Sequence, residues 1–237
     1  MQVHVLFDSK SLNSELNTGW GVSFLVGKNV LFDTGENGKL LLSNMKRLKV
    51  DLNSIQNIII SHNHYDHTSG LWELLKNRES MKVYLCPQFS MEFKQRVLHS
   101  GGIIHEKKDI SEIEENVYLT GAMKGDYKSL EIFEQSLVIK TKNGVSVICG
   151  CAHPGIIQIL DKVKHHFKNE DIDLVLGGFH LMEFGKHRVE SIIYEFQQRG
   201  VRRVAPTHCT GIEAEELFKD AYQDRFITVR VGQIIKL

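Results

Sequence analysis

The chain has 237 residues, 42% of them hydrophobic, with 29 acidic and 29 basic side chains and a formal net charge of zero. That length supports a sizeable core, and the charge balance excludes a general affinity for nucleic acid or an anionic membrane surface. No apolar run approaches the roughly 20 residues that span a bilayer. Residues 1–8 lack the basic start and long apolar stretch of a signal peptide. Cys86, Cys149, Cys151 and Cys209 form neither a paired CxxC motif nor a disulfide framework. The expectation is a cytoplasmic protein with reduced thiols. With no linker, repeat or low-complexity tract, it reads as one domain over residues 1–237.

Residues 3–7 read as a strand and 9–18 as a polar, turn-rich loop. Strands at 22–26 and 30–32 are joined by Gly27-Lys28-Asn29, a hairpin signal. Asp33-Thr34-Gly35 ends the second strand, and Leu41, Met45 and Leu48 recur at helical spacing. Residues 58–60 form an apolar strand. Leu71, Leu74 and Leu75 lie in a helix, 83–85 is a short strand, and Pro87 is expected to open the next helix, where a missing N–H costs nothing. Residues 101–115 carry many charges and show no decisive period. After a strand at 117–120, the stretch 121–133 reads as a loop bordering a cleft. Strands at 137–140 and 145–148 flank the turn Lys142-Asn143-Gly144. Pro154 starts a helix whose apolar face is Ile156, Leu160, Val163 and Phe167. A strand at 174–176 leads to an amphipathic helix with Val189, Ile192, Ile193 and Phe196, closed by Gly200. A strand at 203–205, a helix bearing Leu217, Phe218 and Ala221, and a strand at 229–235 complete the chain. The ββα pattern thus occurs in both halves, which predicts an α/β fold of the αββα kind: two packed mixed sheets with outer helices.

The densest chemistry follows the strand at 58–60, in Ser61-His62-Asn63-His64-Tyr65-Asp66-His67. Three imidazoles and a carboxylate this close repel or desolvate one another unless a cation gathers them. His62 and His64, two apart, suit one ion; Asp66 and His67 diverge and suit a second beside it. Two such ions clamp the attacking and leaving oxygens of a displacement. Three further histidines sit just past apolar strands among small residues: His153 in Gly150-Cys151-Ala152-His153-Pro154, His180 in Gly177-Gly178-Phe179-His180, and His208 in Pro206-Thr207-His208-Cys209. Asp33 reads either as a turn acid or as a carboxylate that accepts a hydrogen bond from a ligand imidazole. Cys151 and Cys209 read first as small buried residues and only second as ligands. Tyr65 and Trp72 read as packing residues.

The ordered set His62-x-His64-x-Asp66-His67, preceded by Asp33, resembles the metallo-β-lactamase superfamily. The later segments around His153, His180 and His208 resemble the subgroup labelled by a methanopterin-pathway dihydropterin–ribofuranosylaminobenzene phosphate synthase. The resemblance implies that His62, His64 and His153 hold one metal and Asp66, His67 and His208 the other. It implies zinc, one or two ions per chain, with manganese or iron as alternatives, and a small-molecule substrate. The bridging aspartate common to two-metal relatives has no evident counterpart. Asp66 and His180 are the expected catalytic residues; for His180, a donor to substrate, a replacement ligand and a structural role all stand open. Three functions follow: hydrolysis of a phosphate-bearing ester or phosphodiester, a synthase of the subgroup's kind, or a di-iron redox or sensing protein. Di-iron relatives commonly carry a carboxylate at the position of His64, so the imidazole favours zinc.

Overall fold

The first strand, β1 (Gln2–Phe7), buries Val3 and then Val5, Leu6 and Phe7, while Gln2 stays in water. A computed structural model describes all 237 residues, Met1–Leu237. Contacts group them into two compact units, one of Met1–Lys108 with Arg230–Lys236 and one of Asp109–Val229 with Leu237. No helix is long and apolar enough to cross a membrane.

The first unit continues with β2 (Ser23–Val26), β3 (Val30–Phe32), α1 (Gly38–Arg47), β4 (Asn57–Ile59), α2 (Tyr65–Thr68), α3 (Leu71–Asn77), β5 (Lys82–Leu85), α4 (Met91–His99) and β6 (Ile103–Glu106). β1, β2 and β3 pair antiparallel, whereas β3, β4, β5 and β6 run parallel. Strands β2, β3 and β4 are buried along their whole length, as near-continuous apolar runs require. Asn37 caps α1 by accepting from the N–H groups of Lys39 and Leu40. Pro87 does not open α4. The helix starts later, where the Ser90 hydroxyl accepts from the Phe93 N–H at 3.1 Å; that cap satisfies a donor, whereas proline merely lacks one.

The second unit holds β7 (Ser111–Glu114), β8 (Val117–Leu119), β9 (Met123–Tyr127), β10 (Leu130–Glu134), β11 (Leu137–Thr141), β12 (Gly144–Cys149), α5 (Ile156–His166), β13 (Ile172–Gly178), α6 (Lys186–Gln198), β14 (Arg203–Thr207) and α7 (Ile212–Tyr222). Its six-stranded sheet runs β14-β13-β12-β11-β8-β7, with β12, β13 and β14 parallel and the others antiparallel. The apolar faces of α5, α6 and α7 join one core with Phe179, in which the rings of Phe179, Phe196 and Phe218 lie 5.2–5.5 Å apart.

Three stretches differ from their sequence patterns. Residues 101–115 contain β6 and β7, and the expected loop at 121–133 is the hairpin β9–β10, registered Tyr127 to Leu130. Both hairpin strands are largely wet on both faces, so no apolar alternation betrays them. The final strand β15 (Ile234–Lys236) is shorter than expected and pairs with β1 inside the first unit. Gly232 at φ 91 breaks the run before it.

Candidate metal centre

Parallel pairing of β3 with β4 aligns Phe32 with Ile59, so their carboxyl ends release Asp33 and Ser61 side by side. Asp33 is fully buried and adopts φ 56, a left-handed conformation that turns its carboxylate onto the neighbouring loop. Its Oδ1 accepts from the Ser61 N–H at 2.7 Å and its Oδ2 from the Ser61 hydroxyl at 2.7 Å. Oδ2 also accepts from His67 Nδ1 at 2.6 Å. The single Ser61 hydroxyl proton being committed to Asp33, Ser61 Oγ accepts from His62 Nδ1 at 2.9 Å. One carboxylate therefore sets two imidazoles with their protons on Nδ1, which leaves the Nε2 lone pairs of both for a cation.

Those lone pairs meet further donors. His62 Nε2 lies 3.0 Å from His64 Nδ1, and His67 Nε2 lies 3.4 Å from Asp66 Oδ2. Burial opposes charging His67, but Asp33 and Asp66 outweigh it and hold its pKa well above the ordinary imidazole value. Gly21, at φ 102, packs so tightly on this loop that a Cβ would fall on the Asp66 carbonyl oxygen. Tyr65, expected to pack, is 61% exposed, because the one-turn α2 points it away from the buried Asp66 and His67. Trp72 packs as expected, on Phe93 and under the Arg96 guanidinium.

In the second unit, three adjacent parallel strands end together, with Cys149 level with Gly177 and Gly178 level with Thr207. Cys151 and His153 follow the first strand, His180 the second, and His208 and Cys209 the third. Ala152, His180 and His208 all take positive φ, 54–58°. Such backbones persist only where surroundings enforce them. Gly177 and Gly178 have no alternative: a Cβ on either would strike the carbonyl oxygen of Cys149 or Gly150. Ligand atoms of Cys151, His153 and His180 fall within 4.8 Å of one another, as do those of Cys151, His208 and Cys209. His180 Nδ1 is buried with no hydrogen-bond partner, an arrangement that costs about 1–3 kcal/mol unless a ligand or ion meets it. Burial opposes ionisation of Cys209, but a hydrogen bond with Cys151 and the imidazoles of His180 and His208 reverse the effect and hold the thiol well below its usual pKa. Cys209 in turn is the main cause of the raised pKa of His180. Imidazole and carboxylate donors in the first unit, and imidazole and thiol donors in the second, are the side-chain types that hold a transition-metal ion.

Two residues of this unit were not singled out by sequence. Glu134, 1% exposed at the end of β10, accepts from the N–H groups of Cys151, Ala152 and His153 at 2.8–2.9 Å and so holds the loop that carries His153. Tyr127, on β9, sets its ring 5.3 Å from that of His153 and 5.9 Å from that of His180. Beside them opens a cleft of about 600 Å³, lined by Lys124, Asp126, Ser129, His153 and Gln158 among others. Glu134→Ala is expected to strand three buried donors and cost at least about 3 kcal/mol. Its thermal midpoint should fall by roughly 6–12 °C. A midpoint within a degree of wild type in a calorimetric scan would show that Glu134 is not the anchor of this loop.

Comparison with known proteins agrees with this chemistry. Residues 21–119 match the metallo-beta-lactamase superfamily. Over 97% of its length the chain is 27% identical to a Methanocaldococcus jannaschii protein, 7,8-dihydropterin-6-methyl-4-(beta-D-ribofuranosyl)-aminobenzene-5'-phosphate synthase, of which 94% is covered. The fold matches the crystal structure of Tm1679, a metal-dependent hydrolase of the beta-lactamase superfamily, with a TM-score of 0.84 and 31% identity, covering 100% of this chain and 99% of that one. The metallo-beta-lactamase fold protein YhfI from Bacillus subtilis shares the fold alone, at a TM-score of 0.71 and 14% identity over 98% of this chain and 97% of that one. The α/β fold class expected from the sequence is thus the observed one, and the chain belongs to the metallo-β-lactamase superfamily.

Proposed function

We propose that this protein is a metal-dependent hydrolase acting on an ester or phosphodiester of a small, phosphate-bearing molecule. The observation that carries the reading is the single buried carboxylate of Asp33, which sets the Nε2 lone pairs of His62 and His67 toward further ligands. In this reading His62, His64 and His153 hold one ion and Asp66, His67 and His208 the other. The ions are zinc, with manganese or iron as alternatives. When bound, they lower the pKa of water toward neutrality and polarise the oxygen of the reacting group. Asp66, 5% exposed, orients the attacking water and takes up its proton. His180 donates a hydrogen bond to the oxygen on which charge develops. Tyr127 and the cleft beside His153 receive the rest of the substrate. Tm1679, described as a hydrolase, supports the choice of reaction.

A synthase joining a pterin to an aminobenzene phosphate is the second reading, supported by the 27% identity with the Methanocaldococcus jannaschii synthase. It uses the same metal ligands, so one experiment separates metal binding from reaction type. The purified chain is expected to carry one to two transition-metal equivalents, and His62→Ala combined with His64→Ala to lose most of them. Unchanged stoichiometry in that double variant would falsify the ligand assignment. The loaded protein should then turn over phosphodiester or ester substrates; turnover only in a pterin-condensation assay would select the synthase.

A further inference from the structure

Cys151 follows β12, the first of the three parallel strands whose ends lie level in the second unit. Its sulfur shares one 4.8 Å group with the ligand atoms of His153 and His180, and another with those of His208 and Cys209. In the metal-centre reading His153 and His208 serve different ions. No aspartate is on hand between them: Asp171 is engaged by Arg202, and Asp173 by Arg203 at 2.5 Å.

We infer that the Cys151 thiolate takes the place of the missing bridging aspartate and links the two ions, an inference that rests on the metal-centre reading above. A thiolate resembles a carboxylate in what the position needs: one negative charge and lone pairs enough for two cations. The sulfur–metal bonds form as the S–H bond breaks, and the proton leaves to solvent. The loop is built to keep this sulfur in place. Glu134 holds the Cys151 and Ala152 N–H groups, and Ala152 turns the chain at φ 58 so that Cys151 and His153 flank one bend.

Cys209 is the competing sulfur, and its surroundings differ. Its sulfur lies 3.7 Å from the Cys151 carbonyl oxygen, and so close to Gly178 that a Cβ there would come within 2.6 Å of it. It packs into the wall of the site and belongs to only one of the two groups. The assignment also leaves His180 without a ligand duty, consistent with a donor role. Sulfur ligation favours zinc or iron over manganese.

The test uses the full chain, stripped of metal and reloaded with cobalt(II). Wild type is expected to bind two equivalents and to show a sulfur-to-cobalt charge-transfer band in the near ultraviolet. Cys151→Ser should lose the band and retain about one equivalent, whereas Cys209→Ser should keep both. Cys151→Asp should recover the second equivalent without the band. Metal-free unfolding midpoints show which variants fold. Independently of any variant, zinc-edge X-ray absorption of the wild-type chain should show a sulfur neighbour at about 2.3 Å. A shell of nitrogen and oxygen alone, or a band that survives Cys151→Ser and vanishes in Cys209→Ser, overturns the inference while leaving the metal centre intact. A wild-type chain that takes up no metal overturns both.

Discussion

Asp33→Ala is expected to weaken metal binding by about 10–100-fold and to destabilise the metal-free chain by about 3–5 kcal/mol. The magnitude follows from how much one carboxylate does. It is the acceptor for the Ser61 N–H, the Ser61 hydroxyl and His67 Nδ1, all in a site with no solvent access. Alanine leaves each of these donors buried and unmet. It also frees the two imidazoles to move their protons to Nε2, where a proton competes directly with a cation. Asp33→Asn separates the two effects. Asparagine keeps the size and tolerates the left-handed backbone at φ 56, but its amide nitrogen must face either Ser61 or His67. Asparagine should therefore retain more stability than alanine while losing comparable metal affinity. Chelator competition and denaturant unfolding on the two variants read these quantities apart. Metal affinity within a factor of two of wild type in the asparagine variant would show that Asp33 supports only the fold.

His180→Ala is expected to keep its metal and its fold and to lose about 10²–10³ in turnover. The side chain is held at φ 54 past a glycine pair, beside Tyr127 and His153, with its Nδ1 buried and unpartnered. A purely structural histidine in that position would have its ring nitrogens satisfied by the protein. A group reserved for a substrate or an ion would not. The effect should fall on kcat more than on KM, because charge on the accepting oxygen develops in the transition state. Glutamine at 180 restores an N–H donor and should recover part of the rate. Loss of one metal equivalent in the alanine variant would make His180 a ligand, and unchanged turnover would make it structural.

What could be read from the chain alone was local or periodic. His62, His64, Asp66 and His67 lie within one loop after one strand, so their concentration is visible without knowing any pairing. The helices carrying Leu41 and Met45, or Val189 and Phe196, announce themselves because one face of each must be apolar. The glycine pair before His180 signals close backbone approach, and the two carbonyls that meet it bear this out.

Tertiary structure alone decided the contacts made across long separations in sequence. The role of Asp33 depends on β3 lying parallel to β4, which brings it to Ser61, 28 residues on; the same acid after a strand with another neighbour would be a turn residue. Glu134 looks like a surface acid in a charged stretch. It is buried because β9 and β10 pair and carry it onto the N–H groups of residues 151–153, and such pairing leaves no trace when both strands are wet. Cys151 looks like one small buried residue among four cysteines. Its membership of both ligand groups arises from the parallel registers of β12, β13 and β14, which bring the three strand ends level. Ligand identity is written in side-chain chemistry and can be read directly. Which group orients a ligand, and which sulfur stands between two histidines, depends on strand order and register, which composition and periodicity do not encode.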